Sequence, residues 1–243
     1  MKLNICWMYH DLMNLYGDQG NIQVIKKRCE WRNIETKVDT CSIGEDKDLS
    51  QYDLVFIGGG ADQEQKLLIS DLLSRKENIK QALDTNTFFL LICGGYQLFG
   101  QYYIDGDGEK INGLGLYSYE SVAGTRDNRC IGNIIVEATL DDQLIKVVGF
   151  ENHGGQTKGV QTPFAKVIKG HGNMYQSAYE GFYNGQVLGT YIHGPLLPKN
   201  PQIADFVIKK ALSKNYGNVN LVPLDDEMEN QARTVLLKRM NVE

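Results

Sequence analysis

No two of the five cysteines, at 6, 29, 41, 93 and 130, stand in a C-x-x-C pair. Their number is odd, so neither a disulfide framework nor a zinc site is expected, and no metal or other cofactor is called for. No apolar run approaches the ~20 residues that span a bilayer. The start of the chain, "MKLNICWMYHD", has no apolar core and small-residue cleavage site of a secretory leader. A cytoplasmic protein without membrane insertion is the expectation. Positive charge is also scarce: the formal net charge is −5 and there is no long basic run, which argues against nucleic-acid binding. No G-x-x-x-x-G-K-[ST] occurs, so the chain has no phosphate cradle of that kind.

What is present is an ordinary globular composition, 42% hydrophobic and 23% charged, over 243 residues. "LNICWMY" (3–9), "DLVFIGGG" (53–60) and "TFFLLIC" (87–93) read as strands, the last two apolar throughout. "IETKVDT" (34–40) alternates as a half-buried strand does. Helix-like segments lie between them, at 21–33 and from Asp62 to about Asp84. The second carries Leu68, Leu72, Ile79 and Leu83 on one face, and Asp62 and Gln65 have the spacing of a capping box. Residues 114–190 read as short strands with glycine-rich turns, and the C-terminal part returns to helix at 202–214 and 225–240. Apolar strands alternating with helices predict an α/β fold, a mainly parallel sheet with helices on both faces. One domain over 1–243 is the simplest reading.

"LLICGGYQLFG" (90–100) supplies the chemistry. An apolar strand ends at Cys93, and two glycines permit a tight turn into a helix. Such an elbow lifts a thiol out of the core and sets it near a helix N-terminus, whose partial positive charge favours thiolate. The bland alternative is a buried cysteine that merely ends the strand; Cys6, in a strand-like run, and Cys29, in a helix-like one, are read as core or surface filler. A nucleophile needs a base. Of the four histidines, His10 and His171 lie in polar, loop-like surroundings, and His153 follows a strand in a glycine-rich turn. His193, in "GTYIHGP", ends another apolar strand and is the better candidate. Backbone N–H groups of the 58–62 turn, including Gly60, together with that of Gly94, are candidate donors to a developing oxyanion.

An apolar strand then "GGG", another then "CGG", and a late "HGP" resemble class I glutamine amidotransferases of the cobyric-acid-synthase-related branch. "MNLYGDQGN" (13–21), "FIGGGADQEQ" (56–65), "FENHGGQT" (150–157) and "GTYIHGPLLPKN" (189–200) are similar to that branch's small glutaminase subunits. The resemblance implies a flavodoxin-like glutaminase domain acting on L-glutamine, with Cys93 as nucleophile and His193 as base. It implies that Arg129 holds the substrate, with Arg126 as the local rival. It also implies a heterodimer with a Mur-ligase-like, ATP-using partner that amidates the D-glutamate of lipid II. One departure stands out. Many relatives carry a carboxylate two residues after the histidine, where this chain has Pro195. A distant acid, a Cys–His dyad or an acid from the partner chain would each resolve this; the last is the expectation.

Overall fold

The computed structural model describes residues 1–242. The elements run β1 (Lys2–Met8), α1 (Gln19–Glu30), β2 (Glu35–Cys41), β3 (Leu54–Ile57), α2 (Asp62–Ser74), α3 (Lys76–Asp84), β4 (Phe88–Ile92) and α4 (Gly94–Phe99). Then come β5 (Tyr102–Ile104), β6 (Lys110–Asn112), β7 (Glu120–Ala123), β8 (Cys130–Leu140), β9 (Gln143–His153), β10 (Gly155–Lys158) and β11 (Ala165–Lys169). The chain closes with β12 (Tyr179–Glu180), β13 (Phe182–Tyr183), β14 (Val187–Thr190), α5 (Leu196–Lys199), α6 (Pro201–Tyr216) and α7 (Glu227–Arg239).

The main sheet has the order β13-β14-β4-β3-β1-β2. It is parallel except for β13, which pairs antiparallel with β14 at the edge. Every residue of β3, β4 and β14 is buried, as strands covered on both faces require, whereas β2 alternates at the other edge. The chain runs outward from β1 to β2, then returns to the other side of β1 with β3 and β4. Right-handed crossovers in opposite directions put helices on opposite faces. The reversal also opens a crevice at the carboxyl ends of β1 and β3, where open α/β sheets bind ligands. No helix among the described residues is long and apolar enough to cross a membrane.

Two smaller sheets, β10-β7-β5-β6 and β12-β11-β8-β9, stand beside this crevice. The β8–β9 hairpin is paired from Cys130↔His153 to Leu140↔Gln143. It is closed by Asp141 and Asp142, both at positive φ, the requirement of a two-residue type I′ turn. Its open end points at the main sheet: Phe150 and His193 exchange backbone hydrogen bonds of 3.1 and 2.7 Å.

Two local expectations fail. The segment from Asp62 to Asp84 is two helices, broken at Arg75, whose φ/ψ of −88°/3° leaves the helical region. Arg75 is buried, and its guanidinium is held by Asp71 and the Ser42 carbonyl, which fixes the break. Leu68, Leu72 and Ile79 are buried all the same. The capping box does not form either. Ala61 is the N-cap, Asp62 accepts from the Tyr103 hydroxyl, and Gln65 turns inward to Gly60 O and Gln97 Oε1.

Candidate active site

Four loops meet beyond the sheet's carboxyl edge: Tyr9–Asp18 after β1, Gly58–Ala61 after β3, Cys93 after β4 and His193 after β14. Cys93 takes φ 50° and ψ −104°, a conformation side chains rarely adopt. The turn is held from both sides. Cys93 N–H donates to Thr190 O at 2.8 Å and Gly95 N–H to Gly58 O at 3.3 Å. A Cβ on Gly95 would come within 2.9 Å of Ile57 O, so only glycine lets α4 start this close to β3. An observed backbone outlier of this kind, at the end of a strand and the start of a helix, is what a nucleophile elbow requires.

His193 is fully buried beside the elbow. Gly59 separates the two side chains: a Cβ there would lie 3.0 Å from His193 Cε1 and 3.3 Å from Cys93 Cβ. Asp18, also without exposed surface, brings Oδ1 to 3.5 Å from His193 Nδ1, while its Oδ2 accepts Gly59 N–H at 2.7 Å. Asp18 Oδ1 and His193 Nδ1 have no other partner among the described residues. Tyr16 closes the arrangement from outside, its ring edge-on to the imidazole at 5.0 Å. Burial disfavours a charged ring, but Asp18 and the Cys93 thiol outweigh it and raise the His193 pKa to about 10. The acid facing His193 therefore comes from this chain. The expectation of a partner-supplied carboxylate is corrected: Nδ1 is enclosed and already faces Asp18.

The backbone N–H groups of Gly60 and Gly94 have no hydrogen-bond partner among the described residues. Both glycines face the Met13 side chain, so they line one spot beside Cys93. Gly59 N–H, by contrast, is taken by Asp18, which removes it from the candidate donors.

A cavity of about 600 Å³ opens above Cys93, with Gly60, Gln97, Tyr103, Arg129 and Asn152 in its wall. Arg129 immediately precedes β8, and Asn152 lies near the end of β9, so the hairpin delivers both. Arg129 Nε and Nη2 donate to Asn152 Oδ1 at 3.3 and 3.0 Å, and Nη1 lies over Gly154. Arg126, in the short turn before it, does not line the cavity. The two arginines, indistinguishable by local sequence, are thus separated by position.

The other histidines have different surroundings. His153 is buried, stacks on Tyr191 at 3.8 Å and binds Gly155 O through Nδ1; burial lowers its pKa to about 3, so it stays neutral. His10 lies edge-on to Trp7, and His171 stacks on Tyr175. Asp18, Gln97 and Asn152 were not singled out from the sequence, and Gln65 was read only as part of a helix cap. The glycine-flanked acid in "YGDQG" was the available signal for Asp18.

Comparison with known proteins agrees with this geometry. Residues 4–201 match the CobB/CobQ-like glutamine amidotransferase domain. The chain is 38% identical over 240 residues to the Staphylococcus aureus lipid II isoglutaminyl synthase (glutamine-hydrolyzing) subunit GatD, covering 99% of this chain and 97% of that one. It is also 38% identical to the Streptococcus pneumoniae GatD subunit, over 95% of this chain and 88% of that one. A probable cobyric acid synthase of Methanococcus maripaludis is 29% identical over 63% of this chain but only 32% of its own length. Among solved structures, a glutamine amidotransferase superposes with a TM-score of 0.54 at 14% identity, covering 85% of this chain and 98% of that one. The glutaminase domain of Trypanosoma brucei CTPS with bound acivicin gives 0.52 at 10% identity, covering 91% and 96%. These last two speak for the fold alone. With its parallel sheet, its elbow cysteine and this sequence match, the chain belongs to the CobB/CobQ-like glutamine amidotransferases.

Proposed function

We propose that the protein is the glutaminase subunit of a lipid II isoglutaminyl synthase, acting in the cytoplasm. It hydrolyses L-glutamine and passes ammonia to a Mur-ligase-like partner, which uses ATP to activate the D-glutamate carboxyl of lipid II. The observation that carries this reading is the strained Cys93 sharing the Gly59 wall with the buried His193–Asp18 pair.

The geometry supports the following steps. His193 takes the proton of the Cys93 thiol as Sγ attacks the side-chain amide carbon of glutamine. Asp18 stabilises the imidazolium that forms. The amide oxygen, now negative, lies within reach of the Gly60 and Gly94 N–H groups. His193 returns its proton to the amide nitrogen, the C–N bond breaks, ammonia leaves and a glutamyl thioester remains on Cys93. Water, losing a proton to His193, cleaves the thioester to glutamate and restores the thiol. Arg129 suits the substrate α-carboxylate because a guanidinium offers parallel donors and Asn152 already fixes its plane.

The test is release of ammonia and glutamate from L-glutamine by the full chain, alone and with the ligase subunit, alongside glutamine-dependent amidation of lipid II. Release that disappears in Cys93→Ser, and amidation that needs both chains, are expected. Amidation proceeding equally well from glutamine with Cys93→Ser would overturn the reading.

A further inference from the structure

The strand that leads to His193 loses its edge partner just before the histidine. β14 pairs with β13 through Phe182↔Gly189 and Tyr183↔Leu188. One residue before Phe182, Gly181 takes φ 66° and turns the chain out of β12, which belongs to another sheet. Asn173 fixes that turn: its Oδ1 accepts Gly181 N–H at 2.8 Å and its Nδ2 donates to Gly181 O at 3.0 Å. The antiparallel ladder therefore stops at Gly189, and Tyr191 N–H finds no backbone acceptor among the described residues. The Glu180 side chain supplies one. Its Oε1 accepts Tyr191 N–H at 2.7 Å, and the Thr190 hydroxyl lies 3.0 Å from both carboxyl oxygens.

This contact falls between the two reacting side chains. Thr190 O accepts Cys93 N–H at 2.8 Å, and Thr190 Oγ1 accepts Ile192 N–H at 3.0 Å, one residue before His193. The Thr190–Tyr191 peptide is thus bound at its carbonyl by the elbow and at its N–H by Glu180. The other ties act elsewhere. The Tyr191 ring stacks on His153 and its hydroxyl takes the Gln97 amide at 3.1 Å, while the His193 backbone bonds that of Phe150. None of these touches the Thr190–Tyr191 peptide.

Glu180 has no exposed surface, and it forms no salt bridge among the described residues. A carboxyl group buried without a cation is costly. Joining β12 to β14 would be a purely structural use for it. An apolar side chain could fill the same space, but it would leave Tyr191 N–H unpaired.

We propose that Glu180 is a positioning residue for glutamine hydrolysis: by gripping Thr190 and Tyr191 it sets the place of His193 relative to Cys93. This rests on the glutaminase reading above. Glu180 does not line the cavity, and the Arg129 wall comes from the β8–β9 hairpin, so Glu180 governs the rate of the chemical step and not the hold on substrate.

The test is steady-state hydrolysis of L-glutamine by the full chain and by Glu180→Leu, Glu180→Gln and Thr190→Val, with a thermal melt of each. Glu180→Leu should lower kcat about 10- to 100-fold and leave KM within about threefold, as a displaced base requires. Glu180→Gln, which keeps an acceptor for Tyr191 N–H, should recover most of the lost kcat. Thr190→Val keeps the shape but removes the hydroxyl. It should show the same loss confined to kcat, and it decides the matter if Glu180→Leu does not fold. Folded variants with a lower melting temperature but the wild-type kcat would make the contact structural and overturn the proposal, as would a loss that falls on KM. A wild-type chain that releases no glutamate from glutamine, alone or with the ligase subunit, would overturn the glutaminase reading, and the positioning role with it.

Discussion

His193 has no exposed surface, so any charge it carries must be balanced from within the protein. Asp18 does this, and the substitution Asp18→Asn isolates the effect. The amide oxygen can still accept Gly59 N–H, but the negative charge is gone. The His193 pKa should then fall from about 10, and kcat should drop roughly 10²- to 10⁴-fold, the span general acid–base catalysis contributes. A pH–rate profile is the check; a profile and kcat like the wild type's would remove Asp18 from the site. Arg129 gives a second prediction. Arg129→Ala should raise KM for glutamine by about 30-fold or more, the loss expected when one side of a charge pair is truncated, while Arg126→Ala changes it little. Equal effects would misplace the carboxylate subsite. Cys93 and His193 were legible from the sequence because each ends an apolar strand beside glycine. Asp18 was not, because sequence distance hides a contact made only when the β1 loop folds over Gly58–Gly60.

At the scale of elements, the elbow between β4 and α4 stores strain. A non-glycine residue at φ 50° and ψ −104° costs on the order of 1–3 kcal/mol. Cys93→Gly should therefore raise the unfolding temperature while abolishing turnover, a pairing that a merely structural cysteine would not show. Denaturation of the two proteins side by side decides this. The parallel order of the central strands followed from their unbroken apolar runs, and the structure agrees. The break between α2 and α3 did not follow, because the periodicity of Leu68, Leu72 and Ile79 survives it. What accompanies the break is Arg75 holding Asp71 four residues back while reaching across to the Ser42 carbonyl, and this second, tertiary contact has no local signature. The inward turn of Gln65 is similar: its spacing suited a cap, but the bonds to Gly60 and Gln97 prevailed.

For the whole molecule, pH acts through buried groups around the site. Glu180 is fully buried and accepts from Thr190 Oγ1 and Tyr191 N, in the strand that leads to His193. Burial raises its pKa to about 8, and that of Glu151 to about 7. Both groups, like His193, bind protons more tightly in the folded state. Their contribution is complete below the unfolded pKa and is lost as pH rises through the folded one. His153 has the opposite sign and matters only as pH falls below about 6.5. Stability should thus decline as pH rises from about 6.5 to 8, by at most ~1.4 kcal/mol per pH unit for each group. Glu180→Gln, which keeps an acceptor oxygen, should flatten that decline. Denaturant titrations across this range test it, and an unchanged slope would assign the pH dependence elsewhere.

The central claim is that Cys93, His193 and Asp18 of this one chain form the complete glutamine-hydrolysing centre. Its most direct measurement is covalent capture of Cys93 by a glutamine-like electrophile, followed by mass spectrometry of the intact chain and its peptides. The account predicts one adduct per chain, on Cys93 alone among the five cysteines, formed without any partner and slowed at least tenfold in both Asp18→Asn and Arg129→Ala. Labelling spread over several cysteines, or capture of Cys93 at the same rate in all three proteins, would contradict it.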